Sequence, residues 1–234
     1  MKYLQLICIE RESTPEENVT MRDSVDGWVR ETVERGVNIV GKPLDSPETA
    51  KTVRVRDGEA LISDGPFAAT KEFIGGLDIL DCENLDEAIE IASKHPVSWF
   101  QSIELRPFRD GAEIPNHIDG DELQHLLMVC VDGVPETPEV EASIERDAKA
   151  WLADLADSGV QVLSQALAPA SSATMVRVRD GETLVSDGPF VETKEFLGGI
   201  DILKCETLDE AIGWAAKHPI ARFHMVEVRR FIDL

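Results

Sequence analysis

VRVRDGEALISDGPFAATKEFIGGLDILD (residues 53–81) returns 123 positions later as VRVRDGETLVSDGPFVETKEFLGGIDILK (residues 176–204), with 22 of 29 positions identical. The match continues without a gap into CENLDEAIEIASKHP (82–96) and CETLDEAIGWAAKHP (205–219). A self-match of this length sets the architecture before any residue is read for chemistry. It predicts two copies of one domain of about 110 residues, at 1–107 and 124–234, packed as an internal pseudo-dimer. The stretch between them, 108–123, is rich in Gly, Pro and charge and reads as a linker.

Working outward from the repeat gives one unit. Tyr3–Ile9 and its counterpart Leu126–Val131 are apolar runs of β-formers, read as central strands. A polar loop containing Pro15, or Pro135 and Pro138, leads to a helix: about Met21 to Arg35 in the first copy and Val140 to Asp157 in the second. Trp28 and Trp151 stand at equivalent places and are expected to cover a sheet face. Asp57-Gly58 and Asp180-Gly181 are hairpin turns between short strands. Ile74–Leu80 and Leu197–Leu203 are further strands. Asn84 with Glu87, and Thr207 with Glu210, have capping-box spacing and open a second helix, which Lys-His-Pro ends. A strand over Trp99–Arg106, or Arg222–Arg229, closes the unit. The order is β-α-β-β-β-α-β, a split β-α-β plan with an added hairpin strand. The fold class is therefore α+β: two fused ferredoxin-like units, each covering the sheet face that the other leaves open.

Composition bounds function by exclusion. A hydrophobic fraction of 43% is enough for a real core. No apolar run approaches the roughly 18 residues of a membrane span. MKYLQLICIE enters a strand directly, without the segments of a signal peptide, so a cytoplasmic protein is expected. The net charge of −22 repels phosphate backbones and anionic lipid, so neither nucleic acid nor membrane is an expected partner. The four cysteines form two repeat pairs, Cys8 with Cys130 and Cys82 with Cys205, and read as small buried hydrophobes. No metal-ligand spacing or nucleotide fingerprint occurs, and no cofactor is expected.

SDGPF followed by TKE and Gly-Gly, at 63–76 and 186–199, with VRVRDG before and LDEAI to HP after, resembles the DGPF-type, YCII-related protein family. The resemblance covers nearly the whole chain, twice. It implies a dimeric α/β-barrel in which two ferredoxin-like units set their sheets face to face, here as a covalent version of a dimer that relatives form from separate chains. Some YCII-related proteins use a histidine–aspartate pair with the histidine on the first helix. Relatives in the wider barrel class include small-ring isomerases, monooxygenases and dehydrochlorinases. Neither first helix of this chain contains histidine, so that pair is not carried over.

Candidate chemistry sits at the repeated turns and on alternating strands. Asp64 and Asp187 open Asp-Gly-Pro-Phe; they read either as turn formers or as the catalytic acid or base of a cleft. Phe67 and Phe190 either anchor that loop in the core or line a pocket. Thr70-Lys71-Glu72 and Thr193-Lys194-Glu195 set opposite charges side by side. Gly75-Gly76 and Gly198-Gly199 suggest bulges. If the helices cover the face holding Val53, Leu77, Ile79, Ile103 and Leu105, then Arg54, Asp78, Glu104 and Arg106 face the barrel interior. Arg177, Asp201, Glu227 and Arg229 do so in the second copy. Such charges must pair, either to hold the sheets together or to line a cavity for a small acid or phenol. His224 replaces Gln101 and His125 replaces Tyr3, so a site could exist in one copy only, if the two approach each other. His95 and His218 precede prolines at helix ends, where a helix C-terminus favours protonated His, a sufficient structural reason for them. These features give two functional readings: a small-molecule binding protein with cofactor-free acid–base chemistry, or a non-catalytic interaction module. The fused chain is either monomeric or dimerises further through its sheet edges.

Overall fold

The computed structural model describes residues 1–67, 72–131, 137–190 and 196–233. Thr70, Lys71, Pro135, Thr193, Lys194 and Glu195 lie outside the described residues. The first repeat contains β1 (Lys2–Ile9), α1 (Pro15–Glu34), β2 (Asn38–Pro43), β3 (Lys51–Arg56), β4 (Glu59–Asp64), β5 (Phe73–Asp81), α2 (Leu85–Lys94) and β6 (Ser102–Pro107). The second contains β7 (His125–Val131), α3 (Pro138–Ser158), β8 (Gln161–Ala166), β9 (Thr174–Arg179), β10 (Glu182–Asp187), β11 (Phe196–Leu203), α4 (Leu208–Lys217) and β12 (Met225–Arg230).

Each repeat thus has one strand more than the sequence reading supplied, β2 or β8. In NIVGKP the Gly and Pro mask a β signal that only the pairing with β5 reveals. The first helices also begin earlier than expected. Thr14 and Glu17 form a reciprocal capping box, and Pro15 sits at the first helical position, where its missing N–H costs nothing. At α2, Asn84 Oδ1 accepts from Glu87 N–H at 3.0 Å, while Glu87 Oε2 reaches back one residue further, to Glu83 N–H at 2.7 Å. The last strands begin later than expected, because His95 and His218 each start a short 3-10 turn before β6 and β12.

The sheets run β10-β9-β6-β1-β5-β2 and β4-β3-β12-β7-β11-β8, antiparallel throughout. Four strands of each repeat, in the order β6-β1-β5-β2 or β12-β7-β11-β8, make a ferredoxin-like sheet. The hairpin does not join its own sheet. β3–β4 adds to β12 of the second repeat, and β9–β10 adds to β6 of the first. The two repeats are therefore interlocked. Asp57 and Gly58 both have positive φ, 54° and 81°, as do Asp180 and Gly181, in keeping with the tight turn the sequence predicts.

One core lies between the sheets. Leu4, Leu6, Leu77 and Ile79 meet Leu126, Met128, Ile200 and Ile202 there. Residues of the linker region pack into the same cluster: Phe108, Ile114, Ile118 and Leu123 are all buried. The linker is thus also a plug at the end of the barrel where β1 starts, and Lys2 Nζ donates to Asn116 Oδ1 there at 2.9 Å. Two further clusters lie between each sheet and its helices, around Trp28 and around Trp151. All four cysteines are buried and unbridged. No described helix is long and apolar enough to cross a membrane.

Candidate functional site

On β6, Glu104 stands opposite Leu6 and Arg106 opposite Leu4. Leu4 and Leu6 face the inter-sheet core, so the charged pair does too. Arg106 Nη1 donates to Glu104 Oε1 at 3.1 Å. On β12, Arg229 Nη1 donates to Glu227 Oε1 at 3.4 Å. Both arginines are 1% exposed and both glutamates under 5%. At this depth an unpaired charge is costly, and each ion pair is supplemented from elsewhere. Arg106 Nη2 reaches the carbonyls of Ala168 and Leu197 at 2.9 and 3.1 Å, and Arg229 Nη2 reaches that of Asp45. The second oxygen of each glutamate accepts from the opposite repeat's DGPF turn. Phe67 N–H donates to Glu227 Oε2 at 2.9 Å, and Phe190 N–H to Glu104 Oε2 at 2.7 Å. The hairpin exchange is what carries each turn to the other repeat's glutamate.

Between the two turns lies a cavity of about 80 Å³. Phe67, Phe190, Phe73 and Phe196 supply rings, Leu6 and Met128 supply its apolar floor, and both Glu–Arg pairs line it. A single water needs about 10–15 Å³, so the space suits a small ring or chain rather than one solvent molecule. Burial raises the Glu227 carboxyl above the ordinary range, against the lowering effect of the Phe67 N–H and Arg229. Burial likewise pushes the Cys8 thiol, also in the lining, well up, so it is no ready nucleophile. On each guanidinium the Nε is buried and has no acceptor among the described residues. Leaving a buried donor unpaired costs about 1–3 kcal/mol.

Asp64 and Asp187 begin the turns that line the cavity, but their side chains are outside it. Asp64 is 86% exposed and pairs with Lys51, whose ammonium holds the carboxyl below its ordinary value. Asp187 is also exposed. Asp78 and Asp201 lie on the opposite sheet face from the one expected. Asp78 pairs in register with Gln5, between Leu4 and Leu6, and so points toward the helices. β5 is buried on both faces, so its alternation could not tell one from the other. Arg54 Nη2 lies 3.3 Å from Met225 Sδ, and Arg177 Nη2 pairs with Glu10 Oε1 at 2.5 Å; neither enters the cavity lining. His125 opposes Arg230, whereas His224 precedes Met225, the partner of Cys130. The two histidines therefore stand about 17 Å or more apart at a 3.4 Å strand rise. They form no joint site.

A model described as the YCII-related domain matches residues 1–109 and, separately, 126–234. The chain belongs to the YCII-related family. It is 38% identical over 77 residues to an uncharacterized protein of Rhizobium meliloti (strain 1021). That match covers 33% of the chain, and the chain spans 62% of the relative's length.

The YCII-related repeats also hold a buried couple that the sequence reading gave a different character. His95 Nε2 lies 4.0 Å from Asp78 Oδ2, and His218 Nε2 lies 3.6 Å from Asp201 Oδ2. Both imidazoles accept a backbone N–H at Nδ1, from Val97 and Ile220, which leaves the proton on Nε2, facing the carboxyl. Trp28 and Trp151 close over the rings edge-on at 4.5 and 4.6 Å. Burial drives His95 down to about 3 and His218 to about 4, and raises both aspartates to about 7. The histidines are therefore neutral, not protonated: desolvation outweighs the helix terminus. Each YCII-related repeat thus separates a helix-side Asp–His couple from a cavity-side Glu–Arg pair. What sequence reasoning missed in the cavity was the pairing of each Phe N–H with the other repeat's glutamate, since nothing local to the DGPF turn names that partner.

Proposed function

We propose that this chain binds a small, largely apolar organic molecule between its two sheets, in the partly open cavity lined by the two DGPF turns. The observation that carries the reading is the lining itself. Four phenylalanine rings and apolar side chains surround two buried Glu–Arg pairs in one partly open space. Small-molecule sites combine these features: apolar walls with a few fixed polar groups. Proton transfer at such a site, without a cofactor, falls to Glu104 and Glu227 rather than to the exposed Asp64 and Asp187. Burial raises the Glu227 carboxyl, which suits it to hold a proton.

The test is a methyl-resolved NMR titration with phenol, cyclohexanone, a γ-lactone and benzoate. The expected result is a shift confined to Leu6, Met128 and their neighbours, lost when Met128→Phe fills the space. A folded protein whose Leu6 and Met128 methyls respond to none of the probes would overturn the reading.

A further inference from the structure

The sheet edges are not finished alike. β2 carries Lys42 and Pro43 and pairs with a register shift. β8 is overlaid by the linker region: Arg109 N–H donates to Ala166 O at 3.0 Å, and Gln165 Nε2 to Glu113 O at 2.9 Å. Lys, Pro, bulges and covering loops keep an edge strand from recruiting a further strand. The opposite edges, β4 and β10, have none of these among the described residues. β10 (ETLVSD) pairs residue for residue with β9 and is exposed along its whole length. In an antiparallel ladder every other residue of such a strand turns its N–H and C=O outward.

The side chains of β10 continue rows that the sheet has already built. Ile7, Ile103, Val176 and Val185 stand opposite one another across β1, β6, β9 and β10. Ile103 and Val176 are fully buried, whereas Val185, at the end of the row, is 49% exposed. Leu184, on the other face, is exposed to the same extent. Each face also carries one carboxylate, Glu182 beside Leu184 and Asp187 beside Val185. Neither carboxylate has a cationic partner among the described residues. On β4 the corresponding Asp64 is paired with Lys51, but on β10 the residue opposite Asp187 is Thr174. Charge selects the occupant. A second copy that pairs its β10 antiparallel, apolar doublet on apolar doublet, would set Glu182 against Asp187 at both ends, between chains of net charge −22. We propose that β10 is a docking edge for an extended segment of a basic partner protein. The segment adds antiparallel, with apolar residues opposite Leu184 and Val185 and Lys or Arg opposite Glu182 and Asp187. Main-chain bonds supply the affinity of such an addition, and the facing side chains supply its specificity. The edge contributes nothing to the cavity lining, so it stands apart from the ligand site.

The experiment titrates the whole chain with two labelled peptides, Gly-Lys-Thr-Val-Val-Thr-Lys-Gly and its counterpart with Glu in place of both Lys. Binding is read by fluorescence anisotropy, and its place by backbone hydrogen exchange. The basic peptide is expected to bind and to slow exchange at 182–187. The acidic peptide should bind about tenfold more weakly, since two opposite-charge pairs become like-charge pairs. Val185→Lys should abolish binding, and Ile62→Lys at the corresponding place on β4 should leave it intact. Glu182→Lys keeps the apolar doublet and should narrow the basic peptide's advantage, which decides the matter if Val185→Lys does not fold. No binding of the basic peptide, equal binding of the two peptides, or protection at 59–64 in place of 182–187 would overturn the proposal. A concentration-dependent dimer in sedimentation equilibrium that Val185→Lys dissolves would also overturn it, because the occupant would then be a second copy.

Discussion

Phe67 N–H donates to Glu227 Oε2 at 2.9 Å across 160 positions of sequence. This bond joins the turn of one repeat to the last strand of the other, and Phe190 with Glu104 repeats it in the reverse direction at 2.7 Å. The two bonds make the DGPF turns part of the inter-sheet core, and they tie the shape of the cavity to the integrity of both Glu–Arg pairs. Glu227→Ala would leave the Arg229 guanidinium unpaired at 1% exposure and Phe67 N–H without its acceptor. A loss of about 3–5 kcal/mol is expected from urea unfolding. Glu227→Ala/Arg229→Met removes both charges, and it should recover much of that loss. If the single variant is as stable as the double, the pair is not the interlock described.

Stability should depend on pH through the Asp–His couples. Asp78 and Asp201 titrate at about 7, above the ordinary 3.8. Their contribution is complete below pH 3.8 and is lost as pH rises through 7. His95 and His218 titrate at about 3 and about 4, below 6.5. Theirs is present above pH 6.5 and lost as pH falls through 4 toward 3. Between about pH 4 and 6.5 the two effects oppose each other. In Asp78→Asn/Asp201→Asn only the histidine effect survives. The melting temperature of the variant minus that of the wild type should therefore climb from pH 4 to 7 and level off above. A difference that stays flat across this range would show that the aspartates ionise normally.

Gly41 and Ser164 occupy the same place in the two repeats, and the structure separates their tolerance. A Cβ on Gly41 would lie 1.9 Å from Asp78 Oδ1, so the buried carboxyl would have to move. In the second repeat Ser164 already carries a side chain opposite Asp201. Gly41→Ser is expected to cost about 1–3 kcal/mol, whereas Ser164→Gly should cost well under half as much. Denaturant midpoints of the two variants, compared with wild type, test the order.

The repeat, the Asp-Gly hairpins and the Gly-Gly bulges could be read from residues alone because each is decided locally. Beside the bulge, a Cβ on Gly76 would meet Lys42 O and Pro43 Cα at 3.1 Å, which explains the glycine. The inward facing of Glu104 and Arg106 followed from alternation on β6. For Asp78 the same argument failed, because apolar residues flank it on both faces of β5. The hairpin exchange was also hidden. β3 is suited to the edge at β6 as well as the edge at β12, since the two edges are counterparts in the repeat, IELR and VEVR. Only the three-dimensional path of residues 44–50 chooses between them, and the cavity depends on that choice.

That choice predicts the behaviour of a single repeat. The segment leading to β3 is held by the other half: Asp45 N–H donates to Arg230 O at 2.9 Å, and Leu44 bridges to Phe231. Within its own sheet, β2 sits at the edge farthest from β6, with β5 and β1 between them. A fragment of residues 1–109 has no second repeat to receive β3–β4. Its β6 edge, which the second repeat's β9 covers in the full chain, is open. A second copy of the fragment satisfies both needs at once, with each hairpin on the other's β6. The fragment is therefore expected to be a dimer at micromolar concentration in sedimentation equilibrium. A folded monomeric fragment would mean that the hairpin closes on its own sheet, and that the exchange between repeats is a choice made only by the fused chain.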